Sequence, residues 1–117
     1  MGNEINNIKD GNICSPKGFL SGSIFAGIKS PGQDKRDIGI IFSETDCVSA
    51  GTFTQNSVVS PSVTWTKKVL QDNNLRAVVV NSGCANCAVG EQGFLDAKET
   101  AEIASKSLGK KFLSKVY

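Results

Sequence analysis

Apolar residues recur along the chain in short runs that are separated by polar and glycine-rich turns. Runs of the length and alternation of strands lie before residue 54, whereas two later segments carry apolar residues at helical spacing. Glycines interrupt the first run, Phe19–Ile28, and predict a strand with a bend or bulge. The predicted elements are strands over residues 19–28, 37–43 and 47–54, a helix over 62–72, a strand over 76–80, a helix over 94–108 and the opening of a strand over 112–117.

Start and stop signals support these elements. Ser60-Pro61 is typical of a helix start, Asn73-Asn74 ends that helix, and Gly109 is placed to cap the second one. The run Arg76–Val80 is apolar enough to predict a strand that is covered on both faces. The pattern therefore predicts the order β-β-β-α-β-α-(β). The fold class is α/β in the broad sense and, more narrowly, α+β. Because the last strand only opens before Tyr117, we expect the natural protein to continue.

Composition narrows the classes of function. Thirteen basic and eleven acidic residues give a net charge of +2, which offers no reason to expect a nucleic acid or a membrane as partner. Residues 1–14 are predicted to be a polar leader, and residues 15–117 are predicted to be one domain or part of one. The leader has no apolar core, so it does not resemble a signal peptide, and a cytoplasmic location is expected.

The chain has no histidine and four cysteines. The missing histidine removes the commonest general base and the commonest metal ligand from these residues. Cys84 and Cys87 form a C-x-x-C pair, which is found in redox sites and in half of a zinc site. Since no second pair or histidine completes a zinc site, we expect small buried cysteines and no metal.

The most distinctive stretch is the small-residue loop predicted over Asn81–Gly93, between a strand and a helix. Ligand loops of α/β folds occur at such places, but the glycine spacing fits neither a dinucleotide fingerprint nor a phosphate loop. The alternative is a tightly packed loop whose asparagines satisfy backbone groups. The acidic residues Asp37 and Glu44 lie in turns and are not expected to act as general acids or bases.

Several segments together resemble the family of bifunctional ornithine acetyltransferase/N-acetylglutamate synthases. The most specific is Asn81-Ser82-Gly83-Cys84-Ala85-Asn86, followed by Gly90-Glu91-Gln92-Gly93. The other matching segments are Lys17–Phe19, Ala26–Lys29, Asp37, Ala50–Asn56 and Arg76–Val80. The resemblance covers Ser15 to the end and implies the N-terminal portion of the α-chain domain, in an α-β-β-α sandwich of the ornithine acetyltransferase and DmpA-like type.

The resemblance also implies an activity. Members of this family move acetyl from N-acetylornithine to glutamate, some also use acetyl-CoA, and no cofactor is required. The precursor cleaves itself before a threonine, which becomes the nucleophile at the start of a β chain; two α and two β chains form a heterotetramer. An N-terminal threonine brings its own amine as base, so no histidine is needed.

The residues implied for catalysis and substrate binding lie beyond Tyr117, so none is assigned to this chain. Asn81, Ser82, Gly83 and Asn86 are predicted to support the active site from beneath. Two alternatives stay open: a short non-catalytic binding or regulatory module with the same half-fold, and a small nucleotide-binding domain, which the glycine spacing disfavours.

Overall fold

The computed structural model describes residues 5–29, 32, 35–72 and 75–109. The chain order of its elements is β1 (Phe19–Ile24), β2 (Ile38–Ser43), α1 (Pro61–Leu70), β3 (Ala77–Asn81) and α2 (Gly90–Leu108). Two sequence predictions, the helix stop at Asn73-Asn74 and the strand over 112–117, lie outside the described residues. The observed order is therefore β-β-α-β-α, which is an α+β arrangement.

The three strands form an antiparallel sheet in the order β1-β2-β3. Because directly opposed residues share a face, the register Gly22↔Ile40↔Val79 defines the face that points toward the helices. The register Ser21↔Ile41↔Val78 defines the opposite face. β2 is thus the central strand, and both of its edges are already paired.

The two helices lie together on one face of the sheet. Their apolar stripes are confirmed: Trp65 of α1 meets Phe94 of α2 edge to face, with ring centroids 5.7 Å apart, and Ala101 is buried. The opposite face of β3 is open, since Val78 is 39% and Val80 is 53% exposed. The prediction of a strand covered on both faces is therefore wrong for the described residues.

The predicted strand over 47–54 is also wrong. These residues form no strand, because β1 and β3 occupy the two edges of β2 that a hairpin partner would need. The segment is instead tied to Leu75, two residues before β3: Cys47 Sγ and Ser49 Oγ both donate to the carbonyl oxygen of Leu75, at 2.9 and 3.0 Å. Alternating residues alone did not reveal this competition.

Two element boundaries differ from the prediction by four residues each. β1 ends at Ile24 rather than at residue 28, because the residues after it turn around the side chain of Asp37. α2 begins at Gly90 rather than at Phe94, so the glycine-rich stretch belongs to the helix. The predicted start of α1 at Pro61 and the predicted end of α2 at Gly109 are confirmed, although the Ser60 side chain makes no capping hydrogen bond. No helix within the described ranges is long and apolar enough to cross a membrane.

Candidate functional site

The candidate site is built around the small-residue loop, Ser82–Val89, which connects β3 to α2. The strand delivers Asn81 at its end, and the helix starts at Gly90. Three neighbours hold this loop: the turn formed by residues 26–29, the residue that precedes β2, and the first turn of α2. The loop is thus anchored at both of its ends.

Asp37 anchors the entrance of the loop. It lies just before β2, and its backbone oxygen accepts a hydrogen bond from the N–H of Ser82 at 2.8 Å. Its side chain accepts from three further backbone N–H groups: Ala26 at 2.7 Å, Ile28 at 2.6 Å and Lys29 at 3.2 Å. One residue therefore joins the 26–29 turn to the start of the loop.

The charge of Asp37 is stabilised by these contacts. Asp37 is only 4% exposed, and loss of solvation on burial opposes ionisation. The N–H groups of Ala26, Lys29 and Ile28 outweigh this effect and lower the pKa of Asp37 below its usual value. A carboxylate held in its ionised form by backbone donors is suited to fixing a turn, and it is not suited to proton transfer at neutral pH.

Gly83 allows the loop to approach the 26–29 turn very closely. Its φ is +122°, a conformation that L side chains rarely adopt. A Cβ atom there would lie 2.6 Å from Cα and 2.8 Å from N of Lys29. Both conflicts are with backbone, so no side-chain rotation relieves them. The position requires glycine for its conformation and for its lack of a side chain.

Two asparagines fasten the rest of the loop. Asn81 Nδ2 donates to the carbonyl oxygen of Cys84 at 3.2 Å, and Asn86 Nδ2 donates to that of Gly93 at 2.6 Å. Gly93 is buried in the first turn of α2, where a side chain would collide with Asn86 Oδ1, Val89 and the ring of Pro61. The loop is therefore packed against the beginnings of both helices.

The four residues predicted to support the site are brought together by this arrangement. Asn81, Ser82, Gly83 and Asn86 each contact another part of the same chain, as described above. Their contacts are with backbone atoms, as the packed-loop alternative requires. Their predicted place beneath an active site stays a prediction, because none of these contacts tests it.

A cleft of about 650 Å³ lies between the sheet and the helices, beside the loop. Ile38, Val79 and Asn81 line it from the sheet, and Trp65, Thr66 and Thr100 line it from the helices. The Nε1 donor of Trp65 is buried without a hydrogen-bond partner among the described residues. The indole ring of Trp65 also packs edge to face against Phe94.

The cysteines differ from the sequence prediction. Cys84 and Cys87 are exposed rather than buried, because their loop runs over the surface ahead of α2. All four cysteines are free. Within the described part of the chain, no three histidine, cysteine, aspartate or glutamate side chains gather into a group that could hold a metal ion.

Asp37 is the residue whose structural importance sequence reasoning missed. Its partners lie 8 to 11 residues earlier in the chain, so neither spacing nor periodicity reveals them. The available signal was its place within the resemblance, directly before an apolar strand. Arg76, which closes the opposite end of β2, was likewise treated only as the first residue of a strand.

The fold is that of the ornithine acetyltransferases. The structure matches ornithine acetyltransferase from Mycobacterium tuberculosis complexed with ornithine at a TM-score of 0.84 and 36% identity, over 92% of this chain and 56% of that one. The arginine biosynthesis bifunctional protein from Bacillus halodurans matches with the same TM-score at 27% identity, over 93% and 56% of the two chains.

Sequence comparison gives the family. A model of the ArgJ family matches residues 21–116, and the chain belongs to this family. It is 42% identical over 108 residues to the arginine biosynthesis bifunctional protein ArgJ of Dehalococcoides mccartyi. The matched residues make up 92% of this chain and 27% of that protein. The ArgJ of Mycolicibacterium paratuberculosis is 42% identical over 102 residues, or 86% and 25% of the two proteins. The chain thus spans about a quarter of the length of these relatives and corresponds to their N-terminal part. The resemblance inferred from the residues is confirmed.

Proposed function

We propose that these residues are the N-terminal portion of an acetyltransferase of arginine biosynthesis that moves acetyl from N-acetylornithine to glutamate. The observation that carries the proposal is the 42% identity to a bifunctional ArgJ protein over 92% of this chain. The match to an ornithine acetyltransferase complexed with ornithine supports the same substrate class. That structure is described as bound to ornithine, so ornithine as a substrate is taken from this relative. Glutamate as the acetyl acceptor is an additional part of our proposal.

The nucleophile is proposed to be a threonine outside these 117 residues, at the start of a β chain produced by self-cleavage. The threonines of this chain are poor candidates for the role. Thr100, at the cleft, donates its hydroxyl to the carbonyl oxygen of Asp96 within α2, at 2.7 Å. The chain also lacks a histidine to act as base, whereas an N-terminal threonine carries its own amine.

The small-residue loop is proposed to support the active site without touching substrate. Three polar groups at the loop are engaged within the chain: the side-chain amides of Asn81 and Asn86 donate to backbone carbonyl oxygens, and the N–H of Ser82 donates to the carbonyl oxygen of Asp37. A loop whose hydrogen bonds are internal can fix the position of neighbouring elements of the complete protein. No catalytic or substrate-binding role is proposed for a residue of this chain.

The complete protein is further proposed to be cytoplasmic and to assemble as two α and two β chains, with no cofactor. Whether the complete protein also takes acetyl from acetyl-CoA is decided separately, by offering acetyl-CoA instead of N-acetylornithine in the assay. The alternative, a non-catalytic module of the same half-fold, makes the opposite prediction for the size and activity of the natural product. One experiment therefore distinguishes the two functions.

The test is the intact mass and the N-terminal sequences of the native gene product, followed by an assay with N-acetylornithine labelled in its acetyl group. We expect an α chain longer than 117 residues, a β chain that begins with threonine, and labelled N-acetylglutamate when glutamate is added. Replacement of that threonine by alanine should abolish both cleavage and transfer, whereas Thr100→Ala should leave both intact. A single 12.4 kDa species without transfer would contradict the proposal and favour the non-catalytic module.

A further inference from the structure

The feature that the proposed function leaves unused is the pair Cys84 and Cys87. The two thiols lie three residues apart on one surface loop, and both are free and exposed. The other cysteines differ from this pair. Cys47 is partly buried and donates to the carbonyl oxygen of Leu75, and Cys14 contacts Ser21 Oγ at 3.1 Å, far from the loop in sequence.

The position of α2 strengthens the case for this pair. A helix that began only at Phe94 would leave the C-x-x-C stretch in the middle of a long loop. The helix begins at Gly90 instead, so Cys87 lies three residues ahead of it, and Gly90 and Gly93 belong to its first turn. These glycines therefore lie within the helix and do not separate it from the cysteine pair.

The loop that carries the two cysteines is held by the side chains of two asparagines. Asn81 binds the carbonyl oxygen of Cys84, and Asn86 binds that of Gly93, so the segment between the cysteines is anchored on both sides. Only Ala85 and Asn86 separate the two thiols along the chain. Two exposed thiols with this spacing along the chain can be oxidised together by a small disulfide.

We propose that Cys84 and Cys87 form a reversible intramolecular disulfide. In the reaction, both S–H bonds break and one S–S bond forms between the two sulfur atoms. The two electrons and two protons pass to a low-molecular-weight disulfide such as oxidised glutathione, which leaves as two thiols. Because Cys84 lines the cleft beside the loop, the change alters the rim of the cleft. The proposal does not depend on the proposed acetyl transfer.

The test equilibrates the native gene product with mixtures of reduced and oxidised glutathione, alkylates the remaining thiols, and measures tryptic peptides by mass spectrometry. Both cysteines fall on one peptide, residues 77–98, because no lysine or arginine lies between Arg76 and Lys98. We expect this peptide to lose two hydrogens and both alkylation sites, and dithiothreitol to restore them. Neither Cys14 nor Cys47 should take part in the internal bond.

Variants and a denatured control make the result decisive. In Cys84→Ser and Cys87→Ser, the remaining thiol should carry one glutathione instead of an internal bond, whereas Cys47→Ser should behave as the parent protein. The folded protein should form the bond at an oxidant concentration no higher than the protein in guanidinium chloride requires. Mixed disulfides alone in the parent protein, a bond to Cys14 or Cys47, or a bond that forms only after denaturation would each overturn the proposal.

Discussion

The two ends of the central strand β2 are secured by buried charges of opposite sign. At the start, the Asp37 carboxylate accepts hydrogen bonds from three backbone N–H groups. At the end, the Arg76 guanidinium, 6% exposed, donates to the carbonyl oxygen of Ser43 from Nε at 3.0 Å and Nη2 at 2.7 Å. At each end of the sheet some backbone groups have no partner on a neighbouring strand. The charged side chain there supplies the hydrogen bonds that these groups would otherwise lack.

The difference between the two ends is in what they hold. The Asp37 end fixes a turn against the entrance of the small-residue loop, so its geometry reaches the candidate site. The Arg76 end closes a sheet corner, where Ser43 N–H also donates to the carbonyl oxygen of Arg76 at 2.7 Å and the guanidinium lies 5.4 Å from the Phe42 ring centroid. We therefore expect changes at the first end to alter the loop and changes at the second to alter mainly stability.

The largest effect is expected for Gly83→Ala. The new methyl group would meet the backbone of Lys29 and force a left-handed residue to carry a side chain, which together should lower the free energy of unfolding by about 3 kcal/mol or more. Gly90→Ala is the matched control, since Gly90 also has a positive φ but open space around it. The control should cost about 1 kcal/mol. Equal losses in urea unfolding would show that the close approach to Lys29 is not present.

The next effect is expected for Arg76→Ala. It removes two charge-assisted hydrogen bonds to the Ser43 carbonyl oxygen in a buried position, and the loss should be about 2 kcal/mol. Arg76→Lys keeps the charge but cannot reproduce the paired donation of Nε and Nη2, so it should recover only part of the loss. Full recovery by lysine would mean that charge alone, and not the geometry of the guanidinium, stabilises this end.

How far the sequence predicts these features depends on the range of the interactions. The stripes of α1 and α2 and the apolar runs of β2 and β3 follow from local periodicity, and the structure confirms them. The segment over 47–54 has the same local alternation, yet β1 and β3 already occupy both edges of its intended partner. The contacts of Asp37, Gly83 and Arg76 join segments that are distant in sequence, and no local pattern encodes them. The four residues predicted to support a site, Asn81, Ser82, Gly83 and Asn86, were chosen through the resemblance and not through periodicity, and their role stays a prediction.

A smaller and pH-dependent effect is expected for Asp37→Asn. Because its pKa is lowered in the folded protein, Asp37 contributes stability that is fully present above its unfolded pKa of about 3.9 and is lost as the pH falls through the lower folded value. In that acid window the unfolded chain binds a proton that the folded chain does not. As the pH falls, the free energy of unfolding should therefore decrease less steeply in the variant than in the parent protein. The two slopes should differ by at most the uptake of one proton. It should also lower the melting temperature at neutral pH, since an amide presents a donor where N–H groups need acceptors. An unchanged acid slope would contradict this account.

The smallest effect is expected for Asp46→Asn, and it separates two explanations of the Arg76 end. Arg76 Nη1 lies 3.7 Å from Asp46 Oδ1, but the Asp46 side chain is 75% exposed, so solvent and salt screen this ion pair. We expect a loss below about 0.5 kcal/mol, measured by urea unfolding, with little change between low and high salt. If Asp46→Asn instead matched Arg76→Ala, the guanidinium would act mainly through its partner carboxylate. In that case the two ends of β2 would be stabilised differently. Asp37 would act through hydrogen bonds to backbone groups, and Arg76 would act mainly through its ion pair with Asp46.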